Sequence, residues 1–131
     1  MSRKSKGIGA ERELIHLFWG TNKWSAIRVA GSGSMKYPCP DVVAGNNIRK
    51  LAIECKSSKD TNQYLTKEEV SQLKKFSSKF GAEPWIGVRF DKFKWFFMNI
   101  EDLKETDKNY VISLESAKSK GLLFEELIED K

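Results

Sequence analysis

The chain has 131 residues, of which 40% are hydrophobic and 31% charged, including four Trp, eight Phe and three Tyr. This is the size and balance of one folded domain, so we expect a globular chain with one core and no second domain. One histidine, His16, and two cysteines, Cys39 and Cys55, exclude a multi-histidine metal site, a zinc site and a disulfide scaffold. No apolar run approaches the roughly 18 residues that span a bilayer, and the N-terminus lacks a secretory signal, so a cytoplasmic protein without membrane contact is expected.

The positive charge is concentrated in the first part of the chain. The formal net charge is +5, but residues 1–80 hold 15 basic and 7 acidic side chains, whereas residues 81–131 hold 8 and 11. A basic portion favours a polyanionic partner such as nucleic acid. Ordinary solvated lysines would give the same count, so charge alone leaves both interpretations open.

Local patterns predict the helices. Apolar residues at helical spacing predict a first helix over residues 7–19, and Gly20 suits its end. Thr66 and Glu69 have the spacing of a capping box, which predicts a second helix through Phe80 that ends at Gly81. Residues 121–129 are expected to form a terminal helix.

Runs of β-branched and aromatic residues predict strands between and after these helices. The strands are expected at residues 26–29, 41–45, 51–57, 85–90 and 95–100, with a further short strand at 110–114. Gly, Ser and Pro predict a loop over 30–40, Asn46-Asn47 a hairpin turn, and polar residues a loop over 101–108. The order of elements predicts an α/β fold in which helices pack on a mixed sheet.

Glu11 lies within the apolar stripe of the first helix. Ile8, Leu14 and Phe18 stand at −3, +3 and +7 from it, which places its carboxylate on the apolar face. A carboxylate in such a position costs several kcal/mol unless it is paired or bound to a cation. Glu11 therefore forms either an ion pair with a base such as Arg28 or part of a metal site.

The third strand carries an acid and a base on one face. Alternation puts Leu51, Ile53 and Cys55 on one side and leaves Glu54 and Lys56 together on the other. A charged pair after an apolar run makes a poor core face. The alternatives are a solvated face with a weak ion pair and a functional site.

Asp41 begins the second strand, and a hairpin around Asn46-Asn47 would bring it beside Glu54 and Lys56. Capping of a turn is its alternative role. Two or three carboxylates with a strand carbonyl, here that of Cys55, form an all-oxygen site suited to Mg²⁺ or Mn²⁺ rather than zinc. Such a cation would activate water for attack on a phosphodiester, with Lys56 stabilising the developing charge.

These residues resemble a known motif. Pro40-Asp41, twelve residues and then Glu54-Cys55-Lys56 match the PD-(D/E)xK nuclease pattern. The segments GAEREL at 9–14, RVAGS at 28–32 and FSSKFG at 76–81 surround it in an order that resembles the archaeal Holliday junction resolvase family. The resemblance covers about residues 5–100. It implies a single nuclease domain over residues 1–131 with a restriction-endonuclease-like fold, in which helices flank a mixed central sheet.

The resemblance also implies an activity and its residues. The family implies a homodimer that binds four-way DNA junctions and nicks two opposed strands with Mg²⁺, or with Mn²⁺ as a substitute. The matching catalytic positions are Glu11, Asp41, Glu54, Lys56 and Ser32. The implied metal ligands are Glu11, Asp41, Glu54 and the backbone carbonyl of Cys55.

Other positions are expected to bind DNA or the second subunit. The basic residues expected to contact phosphates are Arg3, Lys4, Lys6, Arg12, Arg28, Lys36 and Lys59, and binding through them would weaken steeply with salt. Phe76 and Phe80 match paired aromatics that support activity in the family, with packing at the dimer as one expected role, although Phe at this spacing is more often part of a core. Replication or recombination proteins are candidate partners, and the nucleoid is the expected location.

Other functions remain open. The same metal site serves restriction enzymes, mismatch nicking enzymes and repair nucleases. The first alternative therefore keeps the fold and the metal site but has a different DNA substrate. A catalytically silent DNA-binding module would lack an acid or the lysine, and all four are present. An RNA-processing nuclease that works without a metal usually relies on histidine and lysine. The one histidine of this chain, His16, lies in the first helix, away from Lys56 in the sequence.

Overall fold

A computed structural model describes residues 3–31, 36–90 and 94–129, with side chains described from Gly9 onward. Four helices, eight strands and a 3-10 helix at Ile100–Asp102 form this part of the chain. The helices are α1 (Arg3–Gly20), α2 (Lys67–Phe80), α3 (Leu114–Lys120) and α4 (Phe124–Leu127). The strands are β1 (Ser25–Arg28), β2 (Val42–Gly45), β3 (Lys50–Ser58), β4 (Asn62–Thr66), β5 (Glu83–Phe90), β6 (Trp95–Met98), β7 (Lys104–Glu105) and β8 (Asn109–Ser113).

The central sheet has five strands in the order β1-β2-β3-β5-β6. β3 lies in the middle, antiparallel to β2 and parallel to β5, with Ile53 opposite Val42 on one side and Trp85 on the other. Asn46 N–H donates to the carbonyl of Arg49 at 3.2 Å and closes the expected turn between β2 and β3. The predicted mixed sheet is therefore confirmed.

The two faces of the sheet are covered by different helices. Leu14 and Phe18 of α1 pack in one core cluster with Leu51 and Ile53, and the other cluster joins Ala52 to α2. The alternation predicted along β3 is therefore confirmed, because its odd-numbered residues face α1 and its even-numbered residues face α2. Glu54 and Lys56, near the end of β3, therefore lie on the face of the sheet that α2 covers.

Helix α2 has the ends that the sequence predicts. Thr66 Oγ1 accepts a hydrogen bond from Glu69 N–H at 3.0 Å, and Glu69 Oε1 accepts one from Thr66 N–H at 2.9 Å. Gly81 ends the helix with φ 80°, a conformation that favours glycine, and its N–H donates to the carbonyl of Ser77. Both capping groups are local in sequence, which explains why this helix is predictable.

A second, smaller sheet differs from the prediction. It has the order β4-β8-β7. β8 corresponds to the short strand predicted at 110–114, but β4 is not predicted, and β7 lies within the stretch predicted as a loop over 101–108. α3 was also not predicted, although Ser113 caps it by accepting from Ser116 N–H at 3.0 Å. The predicted terminal helix is shorter than residues 121–129, because Leu122 and Phe97 exchange two backbone hydrogen bonds of 2.8 Å that hold this segment extended.

None of the helices in the described part of the chain has the length and apolar character needed to cross a membrane.

Candidate active site

Asp41 is tied to β3 at the point where β2 begins. Its N–H donates to the carbonyl of Ile53 at 3.1 Å, and its Oδ2 accepts from the N–H of Cys55 at 2.8 Å. Its own carbonyl accepts from Val29 N–H at 2.8 Å, which links it to the end of β1 as well. The hairpin therefore brings Asp41 beside the Glu54–Lys56 end of β3, as the sequence predicts.

Glu54 lies next to Asp41 and is largely withdrawn from water. Burial raises the pKa of Glu54 to about 9, and the charges of Asp41 and Glu69 and a hydrogen bond with Asp41 act in the same direction. The opposing effect of Lys56 is smaller. Without a cation, the Glu54 carboxyl is therefore protonated at neutral pH.

Glu11 reaches the same region from α1 on the other face of the sheet. Its Oε1 lies 3.7 Å from Nη1 of Arg28, which is the ion pair considered from the sequence. Burial and then the charge of Asp41 raise the pKa of Glu11 to about 7, and Arg28 lowers it. Glu11 thus has a basic partner and is also a neighbour of the acidic cluster.

The thiol of Cys55 lies among all three acids. Burial raises the pKa of the Cys55 thiol well above its ordinary value, and three carboxylates raise it further. They belong to Asp41, Glu11 and Glu54. The helix and the two strands therefore bring the three predicted acids to one end of β3.

Lys56 borders a pocket and contacts Glu69, an acid that no motif in the sequence assigns to the site. Its Nζ donates to Glu69 Oε2 at 2.8 Å. A pocket of about 670 Å³ is lined by Ala10 of α1, by residues 55–60 at and after the end of β3, and by residues 62–64 of β4. The capping box identified Glu69 only as a helix cap, and no sequence signal pairs it with Lys56.

The residues fit a hard divalent cation by their chemistry. Within residues 3–31, 36–90 and 94–129, no three His, Cys, Asp or Glu side chains form a group that could hold a metal ion as they stand. Glu54 is hydrogen-bonded to Asp41 and Glu11 is paired with Arg28. However, clustered carboxylates that raise one another's pKa are stabilised by a cation, and oxygen donors suit Mg²⁺ or Mn²⁺.

The structure describes some of the predicted DNA-binding residues. Arg12, Lys36 and Lys59 are exposed, and Arg28 is half-buried. Ser32 lies outside the described residues, as do the side chains of Arg3, Lys4 and Lys6, whose backbone belongs to α1.

The two predicted aromatics lie on one face of α2. The rings of Phe76 and Phe80 stack with their centroids 4.9 Å apart. Phe76 packs against the core cluster on the α2 side, whereas Phe80 is 47% exposed. Core packing therefore accounts for Phe76 but leaves half of Phe80 in water.

A model of the family described as archaeal Holliday junction resolvase (hjc) matches residues 2–131. The chain belongs to the archaeal Holliday junction resolvase family. This resolvase chain is 42% identical to the crossover junction endodeoxyribonuclease Hjc of Archaeoglobus fulgidus over 98% of each protein. It is 37% identical to the protein of that name from Sulfolobus acidocaldarius, over 98% of this chain and 90% of the relative.

A solved resolvase has the same fold. The 1.6 Å structure of Archaeoglobus fulgidus Hjc, described as a Holliday junction resolvase from an archaeal hyperthermophile, matches with a TM-score of 0.83 at 41% identity, covering 89% of this chain and 94% of that one. The predicted family, fold and class of enzyme are therefore confirmed. Membership of the resolvase family brings dependence on a divalent metal ion and binding of junction DNA.

Proposed function

We propose that residues 1–131 form one nuclease domain that binds four-way DNA junctions as a homodimer and nicks two opposed strands. The observation that carries this proposal is the hydrogen bond from Cys55 N–H to Asp41 Oδ2, which holds Asp41 against Glu54 and Lys56. The relatives named crossover junction endodeoxyribonuclease support the junction as the substrate.

The acids would hold the cation, which we propose to be Mg²⁺ with Mn²⁺ as a substitute. Asp41, Glu54 and the carbonyl of Cys55 supply oxygen donors, and Glu11 is a further ligand from α1. When bound, the ion supplies Lewis-acid polarisation of the phosphodiester and lowers the pKa of water. Asp41 is held in place by a backbone N–H, so its carboxylate needs little reorganisation to act.

The basic residues would bind the phosphates. Lys56 lines the pocket, and its ammonium would stabilise the negative charge that grows on the phosphoryl oxygens during attack. Arg28, beside Glu11, and exposed Arg12 on α1 contact the flanking phosphates. The other proposed contacts come from Arg3, Lys4, Lys6, Lys36 and Lys59, and Ser32 is proposed as a further catalytic residue.

A homodimer follows from the symmetry of the substrate. A stacked four-way junction has a two-fold axis, so two equivalent cuts need two copies of one site related by the same axis. Phe80, half-exposed on α2, supports this face as part of the dimer contact. A junction substrate would also place the protein at the nucleoid, where recombination and replication proteins are its candidate partners.

The test is cleavage of a labelled four-way junction by the purified chain with Mg²⁺, with Mn²⁺ and with EDTA. We expect paired symmetric nicks that need the metal, and much weaker cleavage of linear duplex, flaps and single strands. Equal cleavage of linear duplex would favour a restriction or repair nuclease. Junction binding without cleavage in either metal would favour a silent DNA-binding module.

A further inference from the structure

Glu69 connects the first turn of α2 to the lysine of the site. We propose that Glu69 is a positioning residue for cleavage, which holds the Lys56 ammonium where the scissile phosphate binds. The inference rests on the proposed function, since it assumes that Lys56 faces the substrate. It assigns Glu69 a role beyond that of a helix cap.

The two oxygens of Glu69 have different partners. Oε1 accepts from the backbone N–H of Thr66 at 2.9 Å, and Oε2 accepts from Lys56 Nζ at 2.8 Å. Thr66 Oγ1 in turn accepts from Glu69 N–H at 3.0 Å. The carboxylate is therefore oriented by the helix end before it contacts the lysine, so the position of Lys56 follows from the position of α2.

The contact orders a side chain that is otherwise mobile. Lysine carries its charge on a flexible four-carbon stem, and an ammonium has no planar geometry of its own that would orient it. The Lys56 and Glu69 side chains are 27% and 29% exposed, so water competes only partly for the pair. Burial raises the pKa of Glu69, but the hydrogen bonds from Lys56 and Thr66 and the charge of Lys56 outweigh it and lower that pKa below its ordinary value, so the carboxylate stays charged.

The neighbouring Glu68 provides a matched comparison. It lies in the same first turn of α2, where an acid stabilises the helix end in the same way. Glu68 is exposed, and its Oε1 accepts from Gln72 Nε2 at 3.2 Å within the same helix. A change at Glu68 therefore tests the helix end without touching Lys56.

The experiment compares Glu69→Gln with Glu68→Gln in single-turnover cleavage of a labelled four-way junction with Mg²⁺. The amide keeps an oxygen for the helix cap but removes the charge that holds Lys56. We expect the Glu69→Gln rate to fall about tenfold, with junction affinity unchanged, because a misplaced group costs transition-state stabilisation. Glu68→Gln should cleave at the original rate.

Two further variants separate positioning from stability. Thr66→Ala weakens the helix cap but leaves the Glu69–Lys56 contact, so it should lower the melting temperature without the tenfold loss of rate. In a Lys56→Ala background, Glu69→Gln should cause no additional loss, because the residue through which it acts is gone. A tenfold additional loss there, or an unchanged rate in Glu69→Gln alone, would overturn the proposal.

A measurement without metal or DNA tests the contact itself. The Lys56 ammonium protons, followed by ¹⁵N-resolved NMR, should exchange slowly with water in the original chain and rapidly in Glu69→Gln. Equal exchange in both proteins would contradict the positioning role. If the original chain showed slow exchange but cleaved no junction, the proposed function would fail while the contact stood, so the two failures are distinguishable.

Discussion

Asp41 Oδ2 accepts a hydrogen bond of 2.8 Å from the backbone N–H of Cys55. Because Cys55 stands between Glu54 and Lys56 on β3, this one bond aligns the acid of one strand with the acid and the lysine of the next. A side-chain hydrogen bond between Asp41 and Glu54 completes the arrangement. The spacing of twelve residues in the sequence corresponds in three dimensions to the two strands and the turn between them.

Glu54→Gln should abolish cleavage and leave junction affinity within about tenfold, or 1.4 kcal/mol of binding free energy. The amide keeps the shape and hydrogen bonding of the protonated carboxyl but cannot supply a carboxylate to a cation. Phosphate contacts by basic side chains are unchanged. Cleavage of a labelled junction and a gel-shift titration measure the two properties. Glu101→Gln, at an exposed glutamate of the 3-10 helix, is the control. If Glu54→Gln failed to fold, the loss of cleavage would not support a catalytic role for Glu54.

The stability of the metal-free protein should fall as the pH rises from about 5 to about 9. The pKa of Glu54 is about 9 in the folded chain and has an ordinary value of 4.5, so the folded state holds a proton that the unfolded state has lost. Between these values the free energy of unfolding decreases with pH, by up to about 1.4 kcal/mol per unit for one proton. Thermal unfolding in EDTA measures the effect.

Glu54→Gln should lose less stability over the same pH range, because the amide does not titrate. The remaining pH dependence of stability in Glu54→Gln comes from Glu11. It is smaller and ends at a lower pH, because the pKa of Glu11 is about 7. Added Mg²⁺ should stabilise the original chain more at high pH than at low pH, since it binds the deprotonated carboxylates. Parallel curves for the two proteins in EDTA would mean that Glu54 is not held protonated.

Arg49→Ala should lower the free energy of unfolding by about 1–2 kcal/mol. Fully buried hydrogen bonds to charged groups would contribute more, but this site is partly exposed to water. Its guanidinium donates to both oxygens of Glu83, at 2.8 and 2.9 Å, and to the carbonyl of Leu127 at 2.8 Å. It also lies 5.6 Å from the Trp24 ring. Urea denaturation measures the loss, and Lys50→Ala, at an exposed neighbour, should change stability by less than about 0.5 kcal/mol. Equal losses would show that the Arg49 contacts add nothing.

Phe80→Ala should weaken the proposed dimer with little effect on the unfolding of each subunit. Half of this ring is in water, and aromatic residues, Phe included, are enriched at the cores of protein interfaces. Phe76→Ala should instead reduce stability, because its ring packs against the core. Sedimentation velocity over a concentration series measures the dissociation constant, which we expect to rise at least about tenfold for Phe80→Ala. Ile48→Ala, at a residue 80% exposed in the hairpin turn, is the control; an unchanged constant for Phe80→Ala would exclude this face from the dimer.

The elements that the sequence predicts well are those whose signals are local. The capping box at Thr66, the glycine at position 81 and the alternation along β3 all depend on residues close in sequence. β4 escaped prediction because Gln63, a polar residue, occupies one of its buried positions and hides the alternation. Its strand partner is also distant, since Tyr64 pairs with Val111.

The candidate site shows the same division. The sequence predicts that Asp41 and Glu54 lie close together, because a short hairpin joins their strands. The ion pair of Glu11 with Arg28 was one of two alternatives, and the structure shows the pair beside the acidic cluster. The contact of Glu69 with Lys56 depends on how α2 packs over β3, which no spacing in the sequence specifies.

β3 pairs with β5 as far as Ser58 opposite Phe90, whereas its pairing with β2 ends at Ile53 opposite Val42. The segment from Glu54 to Ser58 therefore has β5 as its strand neighbour on one flank, whereas on the other flank Cys55 meets the side chain of Asp41. Because side chains alternate, a slip of one residue in this pairing would turn Glu54 and Lys56 toward α1 and Cys55 toward α2. The same slip would turn Leu51 and Ile53 away from the core cluster of α1, so the packing that stabilises the sheet also fixes the direction in which Glu54 and Lys56 point.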